Sequence, residues 1–315
     1  MKDSDEFSIL KRVFKNLGNQ YFDSSNLFIG PGDDAGLFKT KKELIFSTDT
    51  SVANVHFPKD LEPKSIAYRA CAVAASDIAA CGGKLKWLSI ALTANNKKKK
   101  WIEEFSKGIK EFSDNYKVPI IGGDLTLGKE ISVSIGVCGE IKKEDFMRRD
   151  GGKEKDLIFV TGNLGEALIG LNLLKQKKQN LKTNEKICLK RFLKPEIDFL
   201  FSQDLSKIAN SCIDISDGLM ADLNHICEQS NLKAEINLDN VPLIGNPIKA
   251  LTWGDDYQLC FTVGSTKLKK LVAISKKHKV KITNIGILIK GKGISVFSKG
   301  KKMNLKKTGY NHFNG

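Results

Sequence analysis

The feature that most constrains this chain is a pattern repeated along it, a short apolar run that hands an aspartate, beside glycine or serine, to its end. The run Leu44-Ile45-Phe46 leads into Ser47, Thr48, Asp49 and Thr50, and VPII ends in Gly122-Gly123-Asp124. Ile213 and Ile215 alternate with Asp214 and Ser216 ahead of Asp217-Gly218, and Trp253-Gly254-Asp255-Asp256 runs into YQLCFTV. Asp33 and Asp34 form a further glycine-flanked acidic turn, and Asp77 is the one acid in an alanine-rich segment. Short apolar runs bounded by turn residues read as buried strands, and oxygen-rich strand ends are where α/β proteins carry function. Taken singly, such a place reads better as a polar turn or a helix cap. Taken together, they are almost all Asp, the shorter and stiffer carboxylate. Acids that converge repel one another unless a cation sits between them, and hard oxygen donors suit Mg²⁺ held jointly with phosphate oxygens.

The segments between these acids alternate helix and strand. A helix is expected over residues 6–17, with Phe7, Leu10, Phe14 and Leu17 on one face and Gly18 as its stop. Pro63 opens a helix of small residues, SIAYRACAVAASDIAACGG, which suggests close approach by other backbones or by a dimer partner. Asp77, near its C-terminal end, is disfavoured by the helix dipole and is expected to have a cationic partner. Residues 85–93 read as a strand, and 101–116 as a helix whose aromatic stripe, from Trp101 through Phe105 and Phe112 to Tyr116, belongs to a core. A domain boundary is expected near 142–153, where the sequence is charged and contains glycine. Beyond it, LIFV leads into Thr161-Gly162-Asn163-Leu164-Gly165 and a helix. This loop lacks the Gly-Lys-Ser/Thr ending of a phosphate loop, so it reads as an ordinary turn. Helices follow at about 185–192 and 196–209, then strands and helices to the end. The fold class is therefore α/β (α+β) in two domains, 1–146 and 147–315, since a chain of 315 residues exceeds the roughly 250 at which single cores stop growing.

Composition excludes several classes. No run approaches the ~18 apolar residues of a membrane helix, and the acid-containing start MKDSDEFSIL lacks secretory-signal order, so a cytoplasmic protein without a membrane partner is expected. The seven cysteines are scattered and never form Cys-x-x-Cys, which signals neither zinc nor a disulfide framework. A net charge of +15 invites a nucleic-acid reading, but the lysines are spread along the chain without interleaved aromatics, so no nucleic-acid partner is expected. The four histidines, His56, His225, His278 and His312, have no recognisable Ser or Cys partner motif, which argues against nucleophilic catalysis by the protein.

The segments GPGDDAGLF, FSTDTSVANVHF, AVAASDIAACGG, IIGGDLTLG, the Arg148/Arg149 pair before DGGKEKD, FVTGNLGEALIGL, IDISDGLMADLNHI, GDDYQLCFTV and GYNHF occur here in an order and spacing that resembles the thiamine-monophosphate kinase family. That family shares a superfamily with aminoimidazole ribonucleotide synthetase, selenophosphate synthetase and a hydrogenase-maturation protein. The resemblance implies a homodimer whose N-terminal mixed sheets join into a barrel, a C-terminal mixed sheet flanked by helices, and ATP with several Mg²⁺ ions between the domains. Residue by residue, it implies Asp34, Ser47, Thr48, Asp49, Asp77, Asp124, Asp214 and Asp217 at metal sites. Gly123, Asp124, Arg149 and Ser216 would contact the nucleotide, and His56, Asp255 and Tyr310 would contact thiamine monophosphate. The implied reaction is direct in-line transfer of the ATP γ-phosphoryl group to thiamine monophosphate, without a covalent nucleophile or general base on the protein.

Departures cluster near these positions. The family commonly has Asn at Ala74, Gly-Gly-Glu-Asp at Trp253–Asp256, Glu at Gln258, Thr and Arg at Leu125 and Leu127, and an acid-glycine pair at Ala53-Asn54. They bear on substrate affinity more than on reaction class, and Trp253 in particular could narrow a substrate pocket. A purine-pathway synthetase is the nearest competing activity, and a non-catalytic basic nucleic-acid-binding relative a more distant one.

Overall fold

The computed structural model describes residues 13–31, 35–95 and 99–303. Asp33, Asp34, Tyr310, most of the expected 6–17 helix and the GYNHF tail lie outside them. The chain divides into two compact units, Met1–Ile78 with Lys84–Lys143, and Ala79–Gly83 with Glu144–Gly315.

The first unit is built on an open four-stranded sheet of β3 (Glu43–Val52), β6 (Ser132–Ile141), β4 (Lys84–Ala94) and β5 (Ile120–Leu127), in that spatial order. Only the β4–β5 pair is parallel, joined through helix α2 (Lys99–Tyr116). A small ribbon of β1 (Leu27–Ile29) and β2 (Leu37–Phe38) precedes it. Helix α1 (Pro63–Ala80) packs on the sheet face that carries Val133, Ile135 and Val137 of β6 and Leu88, Ile90 and Leu92 of β4, all buried. Gly139 marks how close the layers lie, because a Cβ there would come within 2.6 Å of the Ile78 side chain. The stripe of α2 turns inward as expected, burying Ile102, Phe105, Ile109 and Phe112, and Gly108 lets it cross α1 where a Cβ would stand 2.1 Å from the Lys64 carbonyl.

Three expectations are corrected in this unit. The run 44–46 is not a buried strand that ends at Ser47: β3 continues through Val52 as an edge strand, with Phe46 70% and Leu44 41% exposed. Likewise Gly122-Gly123-Asp124 lies inside β5, not at its end. The small-residue helix α1 is also not held open for a partner, since nearly every side chain from Ser65 to Ala80 is buried within the single chain.

The second unit carries a seven-stranded sheet in the order β13-β12-β9-β11-β7-β10-β8. Its strands are β7 (Leu157–Thr161), β8 (Ser211–Asp214), β9 (Lys233–Asn237), β10 (Leu259–Val263), β11 (Ile282–Ile289), β12 (Gly293–Ser298) and β13 (Lys301–Met303). All pairs are antiparallel except β9–β12. One core packs Leu219, Leu223 and Ile226 of α6 (Leu219–Ser230) against Ile158, Val160, Ile213 and Ile236, and a second packs Phe201, Leu205 and Leu271 against Phe159 and Phe261. The remaining helices are α3 (Glu166–Lys175), α4 (Thr183–Leu193), α5 (Phe199–Leu205), α7 (Pro247–Thr252) and α8 (Leu268–His278). The expected 196–209 helix is shorter, covering Phe199–Leu205.

Candidate functional site

In the first unit, the pleat of β3 sorts the expected ligands by face. Side chains alternate along a strand, so Ser47 and Asp49 share the helix-facing side with Ile45 and lie opposite Val137 and Ile135 of β6. There the Ser47 hydroxyl donates to Asp77 Oδ2 of α1 at 2.5 Å. A hydroxyl from the sheet is thus one partner of Asp77. Thr48 and Thr50 point to the other face, where Thr50 Oγ1 meets Ser134 Oγ at 2.8 Å. Asp124 stands on that same face, in register with Ala91, which in turn is opposite Ser134. It is exposed and accepts the Thr126 hydroxyl at 3.1 Å. Ser47, Asp49 and Asp77 therefore share one face, whereas Thr48 and Asp124 lie on the other, on the two opposite edge strands of the sheet.

Gly123 has a structural reason to be glycine: a Cβ would lie 2.1 Å from the Ile90 carbonyl oxygen. Its neighbour Gly122 faces open space, with nothing within 4 Å of a built Cβ. His56 follows β3 in a tight turn in which the Val52 N–H donates to Nδ1 at 3.0 Å. An imidazole accepting at Nδ1 carries its neutral-form proton on Nε2, on the far side of the ring.

In the second unit, the acids gather at the start of α6. Asp214 ends β8 and is buried, Ser216 and Asp217 form the turn that follows, and Asp222 sits in the first helical turn. Asp222 Oδ2 accepts the backbone N–H of Asp217 at 3.1 Å and of Gly218 at 3.0 Å. Burial, reinforced by the charges of Asp214 and Asp217, pushes its carboxyl up to about 8. Asp222 was not singled out by sequence, although an acid in the first turn of a helix is a recognisable signal. The segment 254–258 closes over this turn. Asp255 N–H donates to Ser216 O at 2.9 Å and Tyr257 N–H to Ile215 O at 2.9 Å, while a Cβ on Gly254 would stand 1.7 Å from Ser216 O.

The adjacent acids Asp255 and Asp256 have opposite surroundings. Asp255 is half-buried with Oδ1 accepting the Tyr257 hydroxyl at 3.3 Å. Asp256 turns inward, and its carboxylate accepts the Gly165 N–H at 2.8 and 3.0 Å and the Ala167 N–H at 3.5 Å. It occupies the N-terminus of α3, the place where a glycine loop would otherwise receive a phosphate, and burial pushes its carboxyl up to about 8. The Thr161–Gly165 loop is therefore filled by the chain's own acid. Gln258 supports the same loop: its Oε1 accepts the Thr161 hydroxyl at 2.7 Å and lies 2.4 Å from where a Gly162 Cβ would be. Trp253 is partly buried. It packs with Ala167, Leu171 and Phe192 in a small apolar cluster.

Arg149 lies apart from Ser216 and Asp217. Its carbonyl accepts the hydroxyl of Ser230 in the last turn of α6, so the length of a 12-residue helix, about 18 Å at 1.5 Å per residue, separates it from the acidic turn. Arg148 is tied to Asp150, through Nε to Oδ1 at 2.6 Å, whereas exposed Arg149 has no acidic partner among the described residues.

Among the described residues, no group of three or more His, Cys, Asp or Glu side chains stands close enough to hold a metal. The donor chemistry nonetheless fits Mg²⁺: Asp77 has the Ser47 hydroxyl beside it, Asp124 that of Thr126, and Asp214 and Asp217 flank Ser216. Magnesium is commonly held by just such a partial set, the remaining positions being filled by water and substrate phosphate.

Two mixed sheets whose edges carry aspartates in strand and turn place the molecule in a known class of α/β proteins. Residues 32–141 match the family model "AIR synthase related protein, N-terminal domain", and residues 153–299 match the corresponding C-terminal domain. Within that class, the thiamine-monophosphate kinase of Buchnera aphidicola subsp. Schizaphis graminum is 40% identical over 98% of this chain and 99% of its own length. The crystal structure of thiamine-monophosphate kinase from Stenotrophomonas maltophilia K279a superposes with a TM-score of 0.83 at 30% identity, covering 95% of this chain and 98% of that one. The solved complex of AaThiL with AMPPCP and TMP matches with a TM-score of 0.74 at 30% identity, covering 99% of this chain and 98% of that one. The chain belongs to the thiamine-monophosphate kinase family.

Proposed function

We propose that this protein transfers the γ-phosphoryl group of ATP to the phosphate of thiamine monophosphate, giving thiamine diphosphate and ADP. The observation that carries this reading is the end-to-end match, 40% identity over 98% of the chain, to a protein of that name, joined to the fold match with a complex that contains AMPPCP and TMP. The chemistry of the residues agrees with it. A phosphate acceptor is ionised at neutral pH, so no general base is required, and catalysis reduces to positioning two phosphates in line and neutralising their charge. The inward-facing Asp256 and the core-packed Trp253 take no part in such a step, which leaves Asp255 as the acid of that turn able to orient the acceptor.

In this reading, Ser47, Asp49 and Asp77 hold Mg²⁺ on the helix-facing side of the first sheet. Thr48 and Asp124 contribute oxygens from its opposite face, and Asp214 and Asp217 do so in the second unit. Asp34 belongs to the same set by resemblance. Bound Mg²⁺ supplies charge neutralisation on the phosphate oxygens. Gly123, Asp124, Arg149 and Ser216 contact the nucleotide, and His56, Asp255 and Tyr310 contact thiamine monophosphate. His56, fixed at Nδ1 by the Val52 N–H, would do so through its Nε2–H. We further propose a cytoplasmic homodimer in which the exposed β3 edge, with Phe46 and Leu44, meets a second copy, and no role for nucleic acid.

The test is ADP release coupled to an indicator reaction, with thiamine monophosphate, unphosphorylated thiamine or no acceptor. Release that depends on thiamine monophosphate, with thiamine diphosphate recovered in equal amount, is expected. ADP release indifferent to the acceptor would contradict the assignment.

A further inference from the structure

The turn between α7 and β10 is built in a conformation that ordinary residues avoid. Asp255 has φ 73° and Tyr257 has φ 48°, both in the left-handed region that costs non-glycine residues energy and persists only where surrounding contacts over-determine it. The residue between them, Asp256, supplies the contact that reaches farthest. Its carboxylate grips backbone N–H groups 89 and 91 positions away in sequence. Both ends of that grip are packed without slack. At Gly165 a Cβ would come within 2.6 Å of the Ile244 carbonyl, and at Gly254 within 1.7 Å of the Ser216 carbonyl. The outcome is that Asp255 and Tyr257, on either side of the anchored residue, meet through the phenol-to-carboxylate hydrogen bond at 3.3 Å, beside the Ser216–Asp217 turn.

We propose that Asp256 is a positioning residue: by holding the Gly165 and Ala167 N–H groups it maintains the left-handed turn that presents Asp255, paired with Tyr257, to the phosphate acceptor. The inference rests on the reading of Asp255 as an acceptor-binding residue, and it assigns Asp256 and Tyr257 a role in acceptor affinity that goes beyond capping α3. Without the anchor, the residues on either side relax toward extended backbone and Asp255 loses its fixed direction. Asn at 256 keeps one of the two oxygens that accept these N–H groups, whereas Ala keeps neither. Phe at 257 leaves the turn anchored and removes only the hydroxyl that orients Asp255.

The experiment is steady-state kinetics on the full chain and on Asp256→Ala, Asp256→Asn and Tyr257→Phe, with KM measured for both substrates and folding monitored by thermal melting. For Asp256→Ala the KM for thiamine monophosphate is expected to rise on the order of ten-fold while that for ATP stays within about two-fold. Asp256→Asn is expected to restore a near-normal acceptor KM, and Tyr257→Phe to raise it about three-fold. A purely structural cap would instead lower kcat through a smaller folded fraction, with both KM values unchanged, and that result overturns the proposal. If Asp256→Ala does not fold, an unchanged acceptor KM in Tyr257→Phe overturns it equally. An unmutated chain that fails to phosphorylate thiamine monophosphate overturns the functional reading and the proposal together, whereas normal turnover with unaltered variant KM values overturns the proposal alone.

Discussion

At the scale of single residues, the decisive contact is the short bond between Ser47 and Asp77. It joins a strand to a helix. Replacing Asp77 by Asn keeps an acceptor for the Ser47 hydroxyl and removes the charge, so the fold should survive while turnover falls about a hundred-fold or more at limiting Mg²⁺. Activity titrated against Mg²⁺, alongside a melting curve, checks this. Near-normal turnover at limiting Mg²⁺ would remove Asp77 from the metal set. Gly254 gives a second case. A methyl there would meet the Ser216 backbone, which has no flexible end to move aside, so Gly254→Ala should displace the acidic turn and cost roughly 1–3 kcal/mol. Denaturant unfolding measures it, and an unchanged midpoint would show that the turn yields freely. The acids themselves were legible in the sequence, but their directions were not. Asp255 and Asp256 look alike in a string of letters, and only a partner 91 positions away shows that one faces inward.

At the scale of elements, the sequence conveyed strand and helix where apolar periodicity was strong and misplaced strand ends where it was weak. Helix α2 has a clear stripe and was found nearly to the residue. Strand β3 was cut short at Phe46 because Ser-Thr-Asp-Thr-Ser carries no apolar alternation. An edge strand needs none, since its outer face is not buried and Thr suits extended backbone. The alanine-rich α1 did announce close packing, but its neighbours belong to its own chain. Asp204 of α5 illustrates an interaction between elements that periodicity does not report. It accepts from Lys207 at 2.8 Å, from Lys277 at 2.6 Å and from His278 at 2.8 Å, which ties α8 to α5. These bonds hold its carboxyl well below the usual carboxylate range. A depressed folded-state value means that its stabilisation is present above the unfolded value of 3.8 and is lost as pH falls through the folded value. Asp204→Asn should therefore lower the melting temperature at pH 7 and make progressively less difference below about pH 4. Equal destabilisation at pH 7 and pH 3 would show that the carboxylate charge is not what holds the two helices.

At the scale of the whole molecule, no cluster of described residues brings three ligating acids together. The proposed dimer would use the exposed apolar side chains Leu44 and Phe46 of β3. Phe46→Asp should shift the protein from dimer to monomer in sedimentation at micromolar concentration and reduce activity in parallel, whereas a fully active monomer would contradict the dimer. The most direct test of the central claim follows the phosphoryl group itself. With ATP labelled in the γ-phosphate and thiamine monophosphate present in a single turnover, the label is expected in the terminal phosphate of thiamine diphosphate with none retained on the protein. Label held covalently by the protein would contradict direct transfer, and label released as inorganic phosphate without thiamine diphosphate would contradict the kinase assignment.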